Sequence, residues 1–527
     1  MSVTGATTTF VHARIFTGDS RRPYAHSVSV RDGVIVAIDG AHEGTIIDLQ
    51  GRFLCAGLID AHLHLTLGAA TLSQCNLAGC TSRDEFEARI ETHARTLDAQ
   101  GDSNAWLIAF GWNEADWSGH APDQKWLLGA GNRPAVAWRM DQHACLINHA
   151  ALQLVDSSDV EGGEIDRDAS AAPTGMFREQ AAWKRVIPAI PAATLEAKRV
   201  ALQHACAHLH TLGLVAAGSM EYLCDLEGVF VPLRDELTLR VHATVLDRDW
   251  SLDAPPRIPA ETSDFFRIIG FKSFADGTLG SRTALMREPY CDALPNAAHP
   301  AGIAMEHTQR GELAQWMRAV QALGLSPSIH CIGDRGAQLV LDACDECNDT
   351  PAPRLEHMQT LAHQDIPRLA GRYASMQPLH KADDARLVMQ RLGAQRVERF
   401  FAFRSLLAHG ARVAFGSDWP IVSPDPLLGM RAAITGLDLD GRPFATSESI
   451  TAHDALIAYT RTAAEMLQLN GGTIAVGRNA DFTVLDPSPF EIDWTRELPV
   501  VSATVIAGHA VYDRDATLRA RTMEHTR

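Results

Sequence analysis

Five short apolar runs, each carrying a chemistry-bearing side chain toward its C-terminal end, constrain this chain more than any other feature. They are "GLIDAHLHL" with His62 and His64, "GFKSFADG" with Lys272, "SIHCIGDR" with His330, "RLEHMQ" with His357 and "VAFGSDWP" with Asp418. Helical segments such as "GELAQWMRAVQALG" alternate with them, and strands alternating with helices build a parallel sheet or barrel. In a (β/α)8 barrel the chemistry sits on the C-terminal ends of the strands. Such a barrel spends about 31 residues on each strand–helix unit. His357 follows His330 by 27 residues, one unit. Asp418 follows His357 by 61 residues, two units, with "ASMQPLH" as the strand between them. The 58 residues from Lys272 to His330 hold one unit and an extra loop. Lys272 follows His64 by 208 residues. Three units need only about 93, so an insertion of roughly a hundred residues follows the first strand.

The two ends have another texture. Residues 7 to 55 alternate β-rich runs with turn residues, and so do "GTIAVGRNADFTVLD" and "VVSATVIAGHAVYD" near the C-terminus. They read as strands of a small antiparallel sheet. A chain of 527 residues exceeds one compact core, so several domains are expected. The net charge of −17 argues against nucleic acid or an anionic membrane as the main partner. No apolar run approaches the roughly 18 residues of a spanning helix. The start, "MSVTGATTTF", lacks the basic and apolar regions of a secretory signal, so a cytoplasmic enzyme is the expectation. Cys344 and Cys347 form a lone CxxC without the second pair that zinc needs, and read as reduced helix cysteines. The tail, "YDRDATLRARTMEHTR", is basic and reads as a frayed, solvated end.

In a strand, residues i and i+2 point the same way, so His62 and His64 converge. Alone, that pair reads equally as a polar strand end. The ordered set HxH, Lys, His, His, Asp resembles the amidohydrolase superfamily. The strings "PTGMFREQA", "GFKSFADGTLGSRTALMREPY", "SIHCIGDRG", "RLEHMQ", "ASMQPLH", "FGSDWPI" and "GGTIAVGRNADFTVLD" resemble its amidohydrolase family 3 branch, the YtcJ-like and N-substituted formamide deformylase-like proteins. The resemblance spans nearly the whole chain. It implies an α/β protein: a metal-dependent (β/α)8 TIM barrel, a composite β-sandwich from both termini and an inserted α/β domain after strand 1. The implied domains are 1–56 with 468–515 for the sandwich, 57–69 with 196–467 for the catalytic barrel, and 70–195 for the insertion, which would cap the substrate.

The resemblance also implies the chemistry. Imidazoles and a carboxylate suit zinc or a related divalent ion. His62, His64 and Asp418 would hold one metal, and His330 and His357 would hold a second or orient the substrate. Lys272, a strand-four lysine, would bridge two metals as an N6-carboxylated side chain, or stand as an ordinary lysine beside one, paired with Asp276. A bound divalent ion lowers the pKa of water to about 7 and polarises a carbonyl. Asp418 would act as general acid/base. The expected reaction is C–N hydrolysis of an N-acyl or N-formyl amine. Carbamate or ester hydrolysis on the same site is the alternative. A deaminase is disfavoured because "CIGDRG" after His330 offers no glutamate proton donor, and a non-catalytic binding or regulatory protein because such a ligand cluster is costly to keep without metal. The expected partner is a small amide-type substrate, with a homo-oligomer left open. Arg282 either binds substrate or braces its loop, and His380 lines the pocket or lies on the surface. The insertion tryptophans, Trp106, Trp112, Trp117, Trp126 and Trp138, are mostly core by type, with Trp112 or Trp117 as candidate walls of an apolar substrate pocket.

Overall fold

Eight short segments, buried along almost their whole length, make the barrel: β1 (Leu58–Leu63), β2 (Leu214–Glu221), β3 (Arg240–Val245), β4 (Phe266–Phe274), β5 (Ser326–Cys331), β6 (Arg354–His357), β7 (Tyr373–Met376) and β8 (Arg412–Phe415). This computed structural model describes residues 5–521 apart from 100, 102–104, 118–119, 141, 143, 161–162, 249, 294–297, 348–349 and 519. Residues 522–527 of the basic tail therefore lie outside the described residues. The eight strands pair in chain order, every neighbour parallel. Parallel strands covered on both faces need apolar side chains on both, which explains why these runs are continuous rather than alternating.

The helices between the later strands follow from their patterning. In α1 (Leu313–Ala322), Leu313, Trp316, Met317 and Val320 recur at helical spacing and are buried. In α2 (Asp334–Asp345), Ala337, Val340, Leu341 and Cys344 form the same kind of stripe. Cys344 and Cys347 are free thiols, and Cys347 Sγ contacts the Ala314 carbonyl at 3.5 Å. Then come α3 (Pro378–Leu392) and α4 (Pro426–Thr435), each begun by a proline, whose missing N–H costs nothing in a first turn.

The barrel closes where β8 returns to β1. Asp418 N donates to His62 O (2.7 Å) and His64 N to Trp419 O (2.8 Å). The buried Asp60 carboxylate accepts from His62 N (3.0 Å) and Ser417 N (3.1 Å). Gly416 makes the approach feasible: a Cβ there would sit 2.5 Å from His62 N and 2.9 Å from His62 O.

A nine-stranded sheet draws on both ends of the chain. Its N-terminal strand Phe53–Ala56 pairs in parallel with Thr8–Phe16 and antiparallel with the C-terminal strand Phe482–Asp486. Phe10 and Phe482 meet edge to face in its core, with centroids 5.6 Å apart. Residues Ala69–Ala201 form a second compact unit. It holds a six-stranded sheet and its own core of Phe86, Ile90, Leu107, Trp112, Trp126 and Leu127. Among the described residues, no helix is long and apolar enough to cross a membrane.

Because the seam has backbone rather than a flexible side chain opposite Gly416, substitution forces the strands apart. Gly416→Ala is expected to destabilise the protein by about 1–3 kcal/mol, the usual cost of overpacking. Denaturant unfolding of the variant beside wild type measures it, and an unchanged midpoint would contradict the close approach.

Candidate metal centre

The seam that closes the barrel also gathers three side chains. His62 is the penultimate residue of β1, His64 follows the strand, and Asp418 stands three residues beyond β8 in a left-handed conformation (φ 60°). Asp418 Oδ1 lies 3.3 Å from His62 Nε2 and 3.1 Å from His64 Nε2. Among the described residues, these three form the group whose ligand atoms lie within 4.8 Å of one another. His62 Nε2 and His64 Nδ1 are shut from solvent and have no hydrogen-bond partner. A buried, bare ring nitrogen is costly in a protein interior but is what a metal ligand must offer, so the residues fit a divalent ion. Burial alone pushes the Asp418 carboxyl up. The charges of His62 and its neighbours outweigh that and hold it well below the usual carboxylate range.

His330 and His357 stand beside this group without joining its converging atoms. Their rings lie 4.5 Å apart, and His357 is 4.9 Å from the His62 ring. His357 ends β6 with φ 73°, a left-handed turn that breaks strand alternation after Glu356. Its Nδ1 pairs with Gln377 Oε1 at 2.9 Å. His330 stacks on Phe274 (4.6 Å), and its Nε2 donates to Gly277 O (3.1 Å). Burial, then His330, holds His357 well below the ordinary imidazole value. Burial, then Lys272, lowers His330 to about 3. Both rings are thus neutral, the form in which histidine binds metal.

Lys272 is 1 % exposed and its Nζ has no hydrogen-bond partner. Burial lowers its amine to about 8 against the pull of Glu356 and Asp418. The alternative pairing with Asp276 is not what the structure contains, because that carboxylate takes three backbone N–H groups, from Leu285, Ile332 and Gly333 (2.8, 3.0 and 2.7 Å). His380, in the first turn of α3, reaches the site: its Nε2 lies 3.7 Å from Asp418 Oδ2.

The structure gives three expected substrate contacts other partners. Arg282 forks onto Asp292 (3.1 and 2.8 Å), which also takes Arg391, so it braces its loop. Trp112 is 1 % exposed inside the core of the inserted unit, where its Nε1 donates to Ala137 O (2.9 Å). Trp117 packs on the same cluster, 5.3 Å from Trp126, and its Nε1 donates to His120 O. Both tryptophans spend their apolar faces and N–H groups on that unit's own packing.

Sequence reading missed Glu356 and Arg354, both fully buried on β6. Glu356 accepts from His62 Nδ1 (2.6 Å) and Ser328 Oγ (2.7 Å) and pairs with Arg354 (3.1 Å). Arg354 also donates to the Ala61 carbonyl (2.9 Å). Burial pushes the Glu356 carboxyl up, but Arg354 and His62 hold it well below its ordinary value. A proton kept on Nδ1 leaves Nε2 of His62 free as the donor atom. The available signal was a Glu and an Arg two residues apart in a strand otherwise expected to be apolar. Glu356→Ala is expected to weaken metal binding about 10–100-fold, measured by competition with a chromophoric chelator. Unchanged affinity in a folded variant would remove Glu356 from the site.

The model of the amidohydrolase family matches residues 45–512. The protein YtcJ of Bacillus subtilis, whose name assigns it to the amidohydrolases, is 30% identical over 96% of this chain and 98% of its own. N-substituted formamide deformylase of Arthrobacter pascens is 25% identical over 96% and 98%. An uncharacterized metal-dependent hydrolase of Pyrococcus horikoshii superposes with a TM-score of 0.74 at 25% identity, covering 93% of this chain and all of that one. With the family model matched across most of its length, the chain belongs to the amidohydrolase family.

Proposed function

We propose that this chain is a metal-dependent hydrolase that cleaves the C–N bond of an N-acyl or N-formyl amine. The observation that carries the reading is the convergence of His62, His64 and Asp418 on one point, with the buried Nε2 of His62 left bare. The name of the formamide deformylase relative supports the substrate class. His62, His64 and Asp418 would hold one ion. His330, His357 and Lys272 would serve a second, with zinc favoured by the nitrogen-rich donor set. When bound, the ion supplies a nucleophile at neutral pH and polarises the scissile carbonyl.

The residues divide the remaining work. Asp418 takes the proton of the attacking water and delivers it to the leaving nitrogen, so the C–N bond breaks with a neutral amine departing. Glu356, held by Arg354, keeps His62 facing the ion. The neutral rings of His330 and His357 bind without first shedding a proton. Lys272 enters as a free amine that adds carbon dioxide, losing one proton and gaining an anionic carbamate with two oxygens. Its bare, buried Nζ supports that role.

Removal of metal with a chelator is expected to abolish turnover, and zinc to restore it; full activity in metal-free protein would end the reading. Asp418→Asn is expected to keep the fold and lose about a thousandfold in kcat, read by steady-state kinetics on a panel of formamides and N-acyl amines. Turnover within tenfold of wild type would take the proton-transfer role from Asp418. For Lys272, labelling with 13C-bicarbonate is expected to produce a carbamate resonance that Lys272→Ala lacks. A lysine without that resonance in metal-loaded protein would be an ordinary amine.

A further inference from the structure

The end of the barrel opposite the metal centre holds an open cleft of about 620 Å³, a usual size for a small-molecule site. Arg412 and Tyr373, the first residues of β8 and β7, line it. So does Gln468, whose Nε2 donates to Oγ of Ser326 at the start of β5 (3.3 Å). Glu465, Asn470 and Arg478 join them. Both guanidinium groups are held from one side by a neutral partner. Arg412 Nη1 donates to the Tyr373 hydroxyl (3.0 Å), and its Cζ lies 5.2 Å from the centre of that ring. Arg478 Nη1 donates to Asn470 Oδ1 (3.1 Å). Among the described residues neither arginine has a carboxylate partner, and neither spends its Nε–Nη2 edge on a hydrogen bond. That edge presents two parallel N–H groups, the geometry that forks onto a carboxylate. Arg282 uses the same edge in this way, on Asp292. Acidic residues outnumber basic ones 64 to 47 in this chain, so a shortage of carboxylates does not explain two unpaired arginines in one cleft. Glu465 is exposed and likewise has no ion pair among the described residues. The lining therefore offers two cationic groups and one anionic group.

We propose that this cleft binds an acidic amino acid, with one carboxylate forked on Arg412, the other on Arg478, and the ammonium beside Glu465. The ligand's two negative charges and one positive charge mirror those of the lining. Gln468 and Asn470 add neutral donors and acceptors between them. The inference is independent of the amide-hydrolase reading, because the cleft shares no residue with the group of His62, His64 and Asp418. Strand β8 spans the two: Arg412 begins it in the cleft, and Asp418 stands three residues beyond its other end.

The test is isothermal titration calorimetry of the zinc-loaded, full-length protein at low salt, where charge contacts are least screened. L-Glutamate is the probe. L-Glutamine, which lacks one carboxylate, and glutarate, which lacks the ammonium, are the comparisons. L-Glutamate is expected to bind, and L-glutamine to bind about tenfold more weakly, the usual loss for a hydrogen bond to a charged group. Glutarate should bind about threefold more weakly, in keeping with an exposed ion pair. Arg412→Gln and Arg478→Gln should each weaken L-glutamate about tenfold. Glu465→Gln should erase the preference for L-glutamate over glutarate while leaving both bound. No binding of L-glutamate to wild type overturns the proposal, and so does equal binding of L-glutamine or of glutarate. Binding that survives both arginine substitutions places the amino acid elsewhere, on the zinc for instance, and overturns it as well. Both arginines are exposed, so the variants are expected to fold, which circular dichroism checks. Arg412→Lys and Arg478→Lys, which keep the charge and lose the fork, give a second pair with the same expected direction, and the ligand comparison on wild type needs no variant.

Discussion

The hydrogen bonds between the backbones of His62 and Asp418, and of His64 and Trp419, are the constraint on which the site depends. They close the barrel and fix the three converging side chains in the same step. Asp60 reinforces them by accepting from both strands, and the hydrogen of Gly416 leaves room for contact. Closure and ligand placement are therefore not separable. A shift of the seam moves Oδ1 of Asp418 away from both imidazoles: one strand stops at Leu63, between His62 and His64, and the other turns through a left-handed residue at Asp418.

Below that seam lies a balanced set of buried charges. Arg354 and Lys272 are cations, and Glu356 and Asp418 are anions, all in a region nearly closed to water. Arg354 is committed to Glu356 and to the Ala61 carbonyl, which leaves Lys272 as the cation facing Asp418. That arrangement accommodates one state of the site. Converting Lys272 to a carbamate replaces a positive charge by a negative one, a change of two units that the existing side chains do not offset. One divalent ion offsets it. Metal binding and the chemical form of Lys272 are thus linked by charge balance: a carbamate without any ion would leave an uncompensated buried anion.

How much of this was legible in the sequence follows from where each signal lives. The barrel, the sheet shared by the two termini and the inserted α/β unit could be read because they leave periodic marks: continuous apolar runs, alternating end segments, and an excess of residues between His64 and Lys272. His62, His64 and Asp418 were legible for the same reason, since a barrel puts strand ends together whatever the distance in sequence. The Glu356–His62 contact was not, because it joins side chains across the barrel interior, 294 positions apart. Trp112 and Trp117 show the opposite case. An indole announces apolar burial without saying in which core, and here Trp117 packs on Phe86, Trp126 and Trp112 within the inserted unit's cluster. For Arg282 the deciding fact was Asp292, ten residues away on the same loop, where a forked ion pair occupies the guanidinium.

The division of labour proposed for one carboxylate predicts that position 418 tolerates little change. An aspartate side chain is short, so once its backbone is clamped by the His62 carbonyl its two oxygens point in set directions. One direction is filled by imidazoles that offer lone pairs to an ion. The other meets His380, whose Nε2 lies 3.7 Å from Oδ2. Glutamate would carry the same charge with one more methylene, and could reach either neighbour but not both from the same clamped backbone. Asparagine would keep the length but put an N–H₂ group on one side, blocking either the ion or the proton transfer. A carboxylate of this length, on this seam, is the side chain whose two ends meet both demands at once.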